Sequence, residues 1–135
     1  MENKCIVFYE SWQMECCGIP FTVGGTIKWL VYKTDYLNTP VDVGKIDYCY
    51  EAHSSKWTDL LVLEGKVDKI ELLYEKYLPS VDNPRLLVPI GGKIIETESA
   101  KGFEKGIGDM RASGYIVTVS EHIIRPAEES EVTFK

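Results

Sequence analysis

Several segments of this chain alternate hydrophobic and polar positions with a period of two. The clearest is "TIKWLVYK" (26–33), where Ile27, Trp29 and Val31 alternate with Lys28, Leu30 and Tyr32. A period of two puts each set on its own face of a pleated strand, so this segment predicts a sheet strand with one wetter face. "CIVFYESW" (5–12) is apolar on both sides: Ile6, Phe8 and Trp12 share one face, and Cys5, Val7 and Tyr9 share the other. Its β-branched and aromatic content and its length read as a central or barrel strand.

Three further segments continue the pattern. "DLLVLEGKVDKIELLYEKYL" (59–78) predicts one long bent strand or a hairpin, with Gly65 at the bend, because glycine inside a strand commonly marks a bulge or barrel corner. "GGKIIETE" (91–98) and "YIVTVSEHIIR" (115–125) predict two more strands, and "VTFK" at the end adds an edge. Between them, "CCGIPFTVGG" is a loop punctuated by Gly18, Pro20 and Gly24-Gly25, and "TDYLNTPVDVG" is a connection. "PSVDNPRLLVP" is a proline-broken loop, and "SAKGFEKGIGDMRASG" (99–114) is a glycine-rich loop. "KIDYCYEAHSSKW" (45–57) fits two patterns: Ile46, Cys49, Tyr50 and His53 have helical spacing, whereas Ile46, Tyr48 and Tyr50 have strand spacing. We assign it to a short helix.

Five or six strands with turn signals between them and little helix predict a mainly β domain. The expected form is a small antiparallel, partly open barrel, SH3-like or OB-like, with one short helix. Residues 1–135 form a single domain with an acidic tail from about residue 126, carrying Glu128, Glu129 and Glu131.

Charge and composition narrow the partners. The net charge is −6 with no basic run, which argues against nucleic acid, since that binding rests on Lys and Arg neutralising phosphates. No apolar run approaches the roughly 20 residues of a membrane span. Lys4 is followed by a short apolar stretch that Glu10 ends, too little for a signal-peptide core. The expected location is therefore cytoplasmic, with no membrane partner, and the four cysteines are expected reduced and buried rather than disulfide-linked.

The stretch "WQMECCGIPFTVGGTIKW" (12–29), with its W-Q-x-x-C-C-G-x-P-F-x-V-G pattern, resembles the bacterial domain family DUF6578. Looser echoes lie in "YEAHSS" (50–55) and "EGKVDKI" (64–70); Gly25 stands where an aspartate is expected after the Val-Gly pair. The resemblance implies no activity. It implies that the Cys-Cys-Gly loop and the His53 region belong to one compact domain.

The candidate chemistry centres on that loop. Structural zinc needs paired ligands at spacings such as C-x2–4-C or H-x3–5-H, and neither occurs. Cys16, Cys17, Cys49 and His53 form the alternative metal- or thiol-dependent site, since Cys49 and His53 would share a helix face. Thiol catalysis needs an activated thiolate; Cys17 beside Gly18, with His53 or His122 as base, is the arrangement to test. "GFEKGIG" (102–108) matches neither phosphate-loop pattern, and its neighbouring Lys101, Glu104, Lys105, Asp109 and Arg111 read as a solvated face. No carboxylate pair stands out for acid–base work, and no cofactor is implied.

The surplus of Trp and Tyr suits a pocket or interface, since these side chains combine an apolar body with a polar tip. The sequence therefore favours a non-enzymatic binding or interaction module with a protein or small-molecule partner. Its expected site is Trp12, Cys16, Cys17, Gly18, Phe21, Tyr50 and His53. An exposed edge strand leaves room for a homodimer.

Overall fold

The computed structural model describes residues 4–11, 14, 19–34, 39–51, 60–102 and 104–128. Eight strands follow in chain order: β1 (Lys4–Glu10), β2 (Phe21–Thr22), β3 (Thr26–Lys33), β4 (Tyr48–Tyr50), β5 (Leu61–Pro79), β6 (Leu87–Thr97), β7 (Ser99–Ala100) and β8 (Met110–Pro126). The main sheet runs β3-β4-β1-β8-β5-β6, and β3 also pairs β5, so five strands curl into a ring. The ring is unevenly closed: β4 contributes three residues, whereas β5 and β8 share a long ribbon. This is the expected partly open barrel. All its pairings are antiparallel except β1 with β4.

Strand alternation explains the core. Cys5, Val7 and Tyr9 of β1 point inward with Ile27, Trp29 and Val31 of β3, Leu63 and Val67 of β5, and Tyr115, Val117 and Val119 of β8. Burying each such side chain contributes about 1.5–3 kcal/mol. The outer face of β1 is apolar too, as its two-sided pattern requires. Phe8, Leu73 and Ile116 lie there beneath residues 41–46, with Ile46 wholly buried and Val41 and Val43 packed alongside. This crossing segment is clamped to β1 by the Asp47 N–H donating to the Ile6 carbonyl (2.9 Å) and the Ile6 N–H donating to the Asp47 carboxylate (2.8 Å).

β5 is a single strand, bent rather than folded into a hairpin. Its ladder with β8 shifts register between Glu64 and Lys66. A Cβ on Gly65 would lie 2.5 Å from the Val119 side chain, so only glycine fits this close approach. On the facing strand Glu121 takes up the bulge with φ of 51°. Beyond the bend β5 exchanges β3 for β6 as its neighbour. The seam is bridged by the 23–25 turn, whose backbone bonds Val67, and by the small β2–β7 sheet. The end of the "CCGIPFTVGG" loop is held at that seam.

Several boundaries differ from the sequence reading. The 45–57 helix is corrected over 48–50, which form β4; β1 and β3 each offer that segment an open edge, and backbone pairing with both decides the conformation. Residues 52–57 lie outside the described residues. Helical backbone occurs instead at Ser11 and Met14. β6 begins at Leu87, through Pro89, and β8 at Met110; proline is tolerated because, among the described strands, β6 pairs only with β5 and is an edge. "VTFK" lies outside the described residues.

Candidate functional site

Each strand of the ring except β5 contributes an aromatic residue to one cluster inside the barrel, and β2 adds another. Tyr9 stacks on Tyr50 with ring centres 3.8 Å apart and planes 10° from parallel. Trp29 presents its ring edge-on to Tyr9 (5.3 Å), Phe21 (5.0 Å) and Tyr50 (6.0 Å). Tyr115 closes the inner side, 5.9 Å from Phe21 and 6.2 Å from Tyr9. Such edge-to-face and offset pairs add about 0.5–1.5 kcal/mol each beyond burial.

The outer end of this cluster opens into a cleft of about 220 Å³. Tyr9, Phe21, Trp29 and Tyr50 wall it, Ile19 and Pro20 form one lip, and Thr26 and Lys28 form the other. Ile19 is 81% exposed, so that lip is apolar and open to solvent.

Of the site residues expected from sequence, Phe21 and Tyr50 therefore meet at this cleft. Trp12, Cys16, Cys17, Gly18 and His53 lie outside the described residues. Cys49 does not join Tyr50: adjacent strand residues face opposite ways, and Cys49 packs on the outer face with Phe8 and Ile46. Burial raises its thiol pKa, which keeps it protonated and poorly nucleophilic. Its helix-based pairing with His53 falls with the helix at 48–50. Among the described residues no group of three His, Cys, Asp or Glu side chains stands close enough to hold a metal ion.

The glycine-rich loop is tied to the barrel rather than being a purely solvated face. The Gly102 N–H donates to the Tyr115 hydroxyl (2.8 Å), which donates in turn to the Glu104 carboxylate. The Lys101 N–H donates to the other Glu104 oxygen (2.8 Å), and the Tyr74 hydroxyl donates to the Lys105 carbonyl (3.3 Å). Asp109 pairs with Lys76 at 2.9 Å, and Arg111 lies 5.5 Å over the Tyr77 ring.

Sequence reasoning missed Glu75, the buried charged residue of β5 among the described residues. Its carboxylate accepts from the Thr39 hydroxyl (2.7 Å) and the Tyr77 hydroxyl (3.1 Å), and the Tyr77 and Ser113 hydroxyls are 3.0 Å apart. Each carboxylate oxygen is satisfied, so Glu75 pins the crossing segment to the barrel. The strand pattern places Tyr9 in the core; the signal for its place at the cleft is an aromatic at the inward position of successive strands.

Two buried acids and one partly exposed one make a pH prediction. Burial, with Asp47 nearby, pushes the Cys5 thiol from 9.0 up to about 12. Tyr32, although 38% exposed, is pushed to about 12 by partial burial and then by its hydrogen bond with Cys49, and Tyr9 is raised by burial and then by its contact with Tyr50. Above the ordinary pKa values the unfolded chain loses protons that the folded chain keeps, so stability falls as pH rises. The melting temperature should be level through neutral pH and decline from about pH 9 towards 12. Scanning calorimetry across that range checks it; Tyr9→Phe should make the decline shallower.

The fold and cleft together define a small, partly open β-barrel domain with an aromatic-lined cleft at one end. The chain belongs to DUF6578, a family of unknown function, whose model matches residues 3–121. No curated protein and no solved structure matches it. Among the described residues no helix is long and apolar enough to cross a membrane.

Proposed function

We propose that this chain is a non-enzymatic binding module, acting in the cytoplasm, whose site is the Tyr9–Phe21–Trp29–Tyr50 cleft. The observation that supports it is a concave aromatic surface opening at an apolar lip, with Thr26 and Lys28 as the polar groups at the rim. The cleft's size selects the occupant. At about 220 Å³ it lies below the roughly 300–1,000 Å³ of whole drug- or cofactor-sized pockets. It matches one flat ring: an aromatic small molecule, or an aromatic or prolyl side chain. Four aromatic side chains in its wall give a planar group rings to pack against.

Titrating the isotope-labelled chain with indole, followed by amide and indole N–H shifts in NMR, tests the reading. Saturable shifts at Phe21, Trp29 and Tyr50 are expected, with a Kd of about 1 mM for so small a probe. Shifts scattered over the surface, or none at these three residues, would sink it.

A further inference from the structure

We propose that the cleft is the anchor end of a longer site, and that its occupant is an extended segment of a partner polypeptide. That segment lays a ring in the cleft and runs on across the outer face of β3, β5 and β8. The proposal rests on the cleft reading above.

Thr26, Ile27 and Lys28 line the cleft and also line a second, more open hollow of about 450 Å³. The two hollows therefore share the start of β3 as a common wall. The far walls are Glu64 and Lys66 of β5 and Glu121 and Ile123 of β8. Register explains the floor: Lys28 lies opposite Glu64, which lies opposite Ile123, and Thr26 lies opposite Lys66. Two strand spacings give a track about 10 Å wide. Gly65, with no side chain, lies in the floor between Glu64 and Lys66. Ile123 ends the track 67% exposed, a large apolar side chain on a rim of charges.

Glu121 adds a second observation. A non-glycine residue with φ of 51° is strained, and strain of this kind clusters at ligand clamps and functional loops. Here it occurs at a groove-lining residue.

The lining chooses a polypeptide. Two lysines, Lys28 and Lys66, are balanced by two glutamates, Glu64 and Glu121, with Ile27 and Ile123 between and beyond them. A nucleic-acid backbone or an anionic membrane surface would meet both carboxylates. A lone aromatic molecule would fill the cleft and leave the track empty. A short peptide answers all of it: a ring for the cleft, an acidic side chain for Lys66, a basic one for the glutamates and an apolar one for Ile123. The second hollow by itself lies in the size range of a full ligand site. At about 3.3 Å per extended residue, four or five residues cover the path.

The test is panning of the full chain against a phage-displayed library of random short linear peptides, followed by fluorescence anisotropy with the enriched sequences. Enriched peptides should share a ring residue with mixed charges beside it. Ile123→Glu should weaken them about tenfold while leaving the indole-induced shifts at Trp29 unchanged. Lys66→Glu should weaken them as well, and exchanging the peptide's acidic residue for lysine should restore affinity to that variant. Unchanged affinity in both variants overturns the proposal and leaves the cleft reading standing. Failure to enrich peptides, or enrichment of peptides lacking a ring, overturns it too.

Discussion

Replacing Trp29 with alanine should cost the fold about 3–5 kcal/mol, the range for deleting a buried aromatic side chain. Trp29 is 8% exposed and makes edge-on contacts with Tyr9, Phe21 and Tyr50. Its loss would leave a void lined by three rings drawn from different strands, which cannot close together without moving the ring of strands that carries them. The melting temperature should fall by roughly 10 °C or more. Urea unfolding measures the change, and Trp29→Phe should recover part of it. A loss under about 1 kcal/mol would mean that the rings merely line a surface rather than form core. Because the same indole walls the cleft, ring-probe binding should be lost as well.

The second large effect is expected at Gly114, a residue that presents no chemistry. It sits in β8 between Glu10 of β1 and Leu73 of β5, paired on both sides. A Cβ there would lie 2.7 Å from the Tyr9 carbonyl oxygen and 2.7 Å from the Phe8 ring. An edge strand could swing away from such a clash, but β8 is held by both neighbours. Gly114→Val should destabilise by about 3 kcal/mol, at the upper end of ordinary overpacking. Combining it with Phe8→Ala should give less than the summed loss, because removing the ring relieves one of the two contacts. Strict additivity in that double-mutant cycle would show that the Phe8 contact is not the cause.

How much of this was legible beforehand follows from which interactions are local. β3 was readable residue for residue, because Ile27, Trp29 and Val31 alternate against wetter neighbours. The two-sided burial of β1 was readable for the same reason, and Gly65 announced its bulge. The segment around Cys49 was not. Its apolar positions satisfy both periods, and the edges of β1 and β3, distant in sequence, made the choice. Of the candidate residues that the sequence offers, Phe21 and Tyr50 lie among the described residues, and both line the cleft. Tyr9 was hidden by its own good fit to a core strand. Glu75 was hidden because nothing near it in sequence shows that Thr39 will reach across to its carboxylate.

The sequence by itself determined the class of fold, the inward set of side chains on the principal strands, and the bend in β5, since period and glycine placement act within a few residues. It also determined the family, whose model matches residues 3–121. Only the tertiary structure decided where the candidate cleft forms. Ring closure brings Tyr9, Trp29 and Tyr50 together from three strands, the β2–β7 pairing adds Phe21, and strand alternation turns Cys49 to the opposite face from Tyr50. A cleft is a relation between residues far apart in the chain, and that relation exists only once strand pairing has fixed which of them become neighbours.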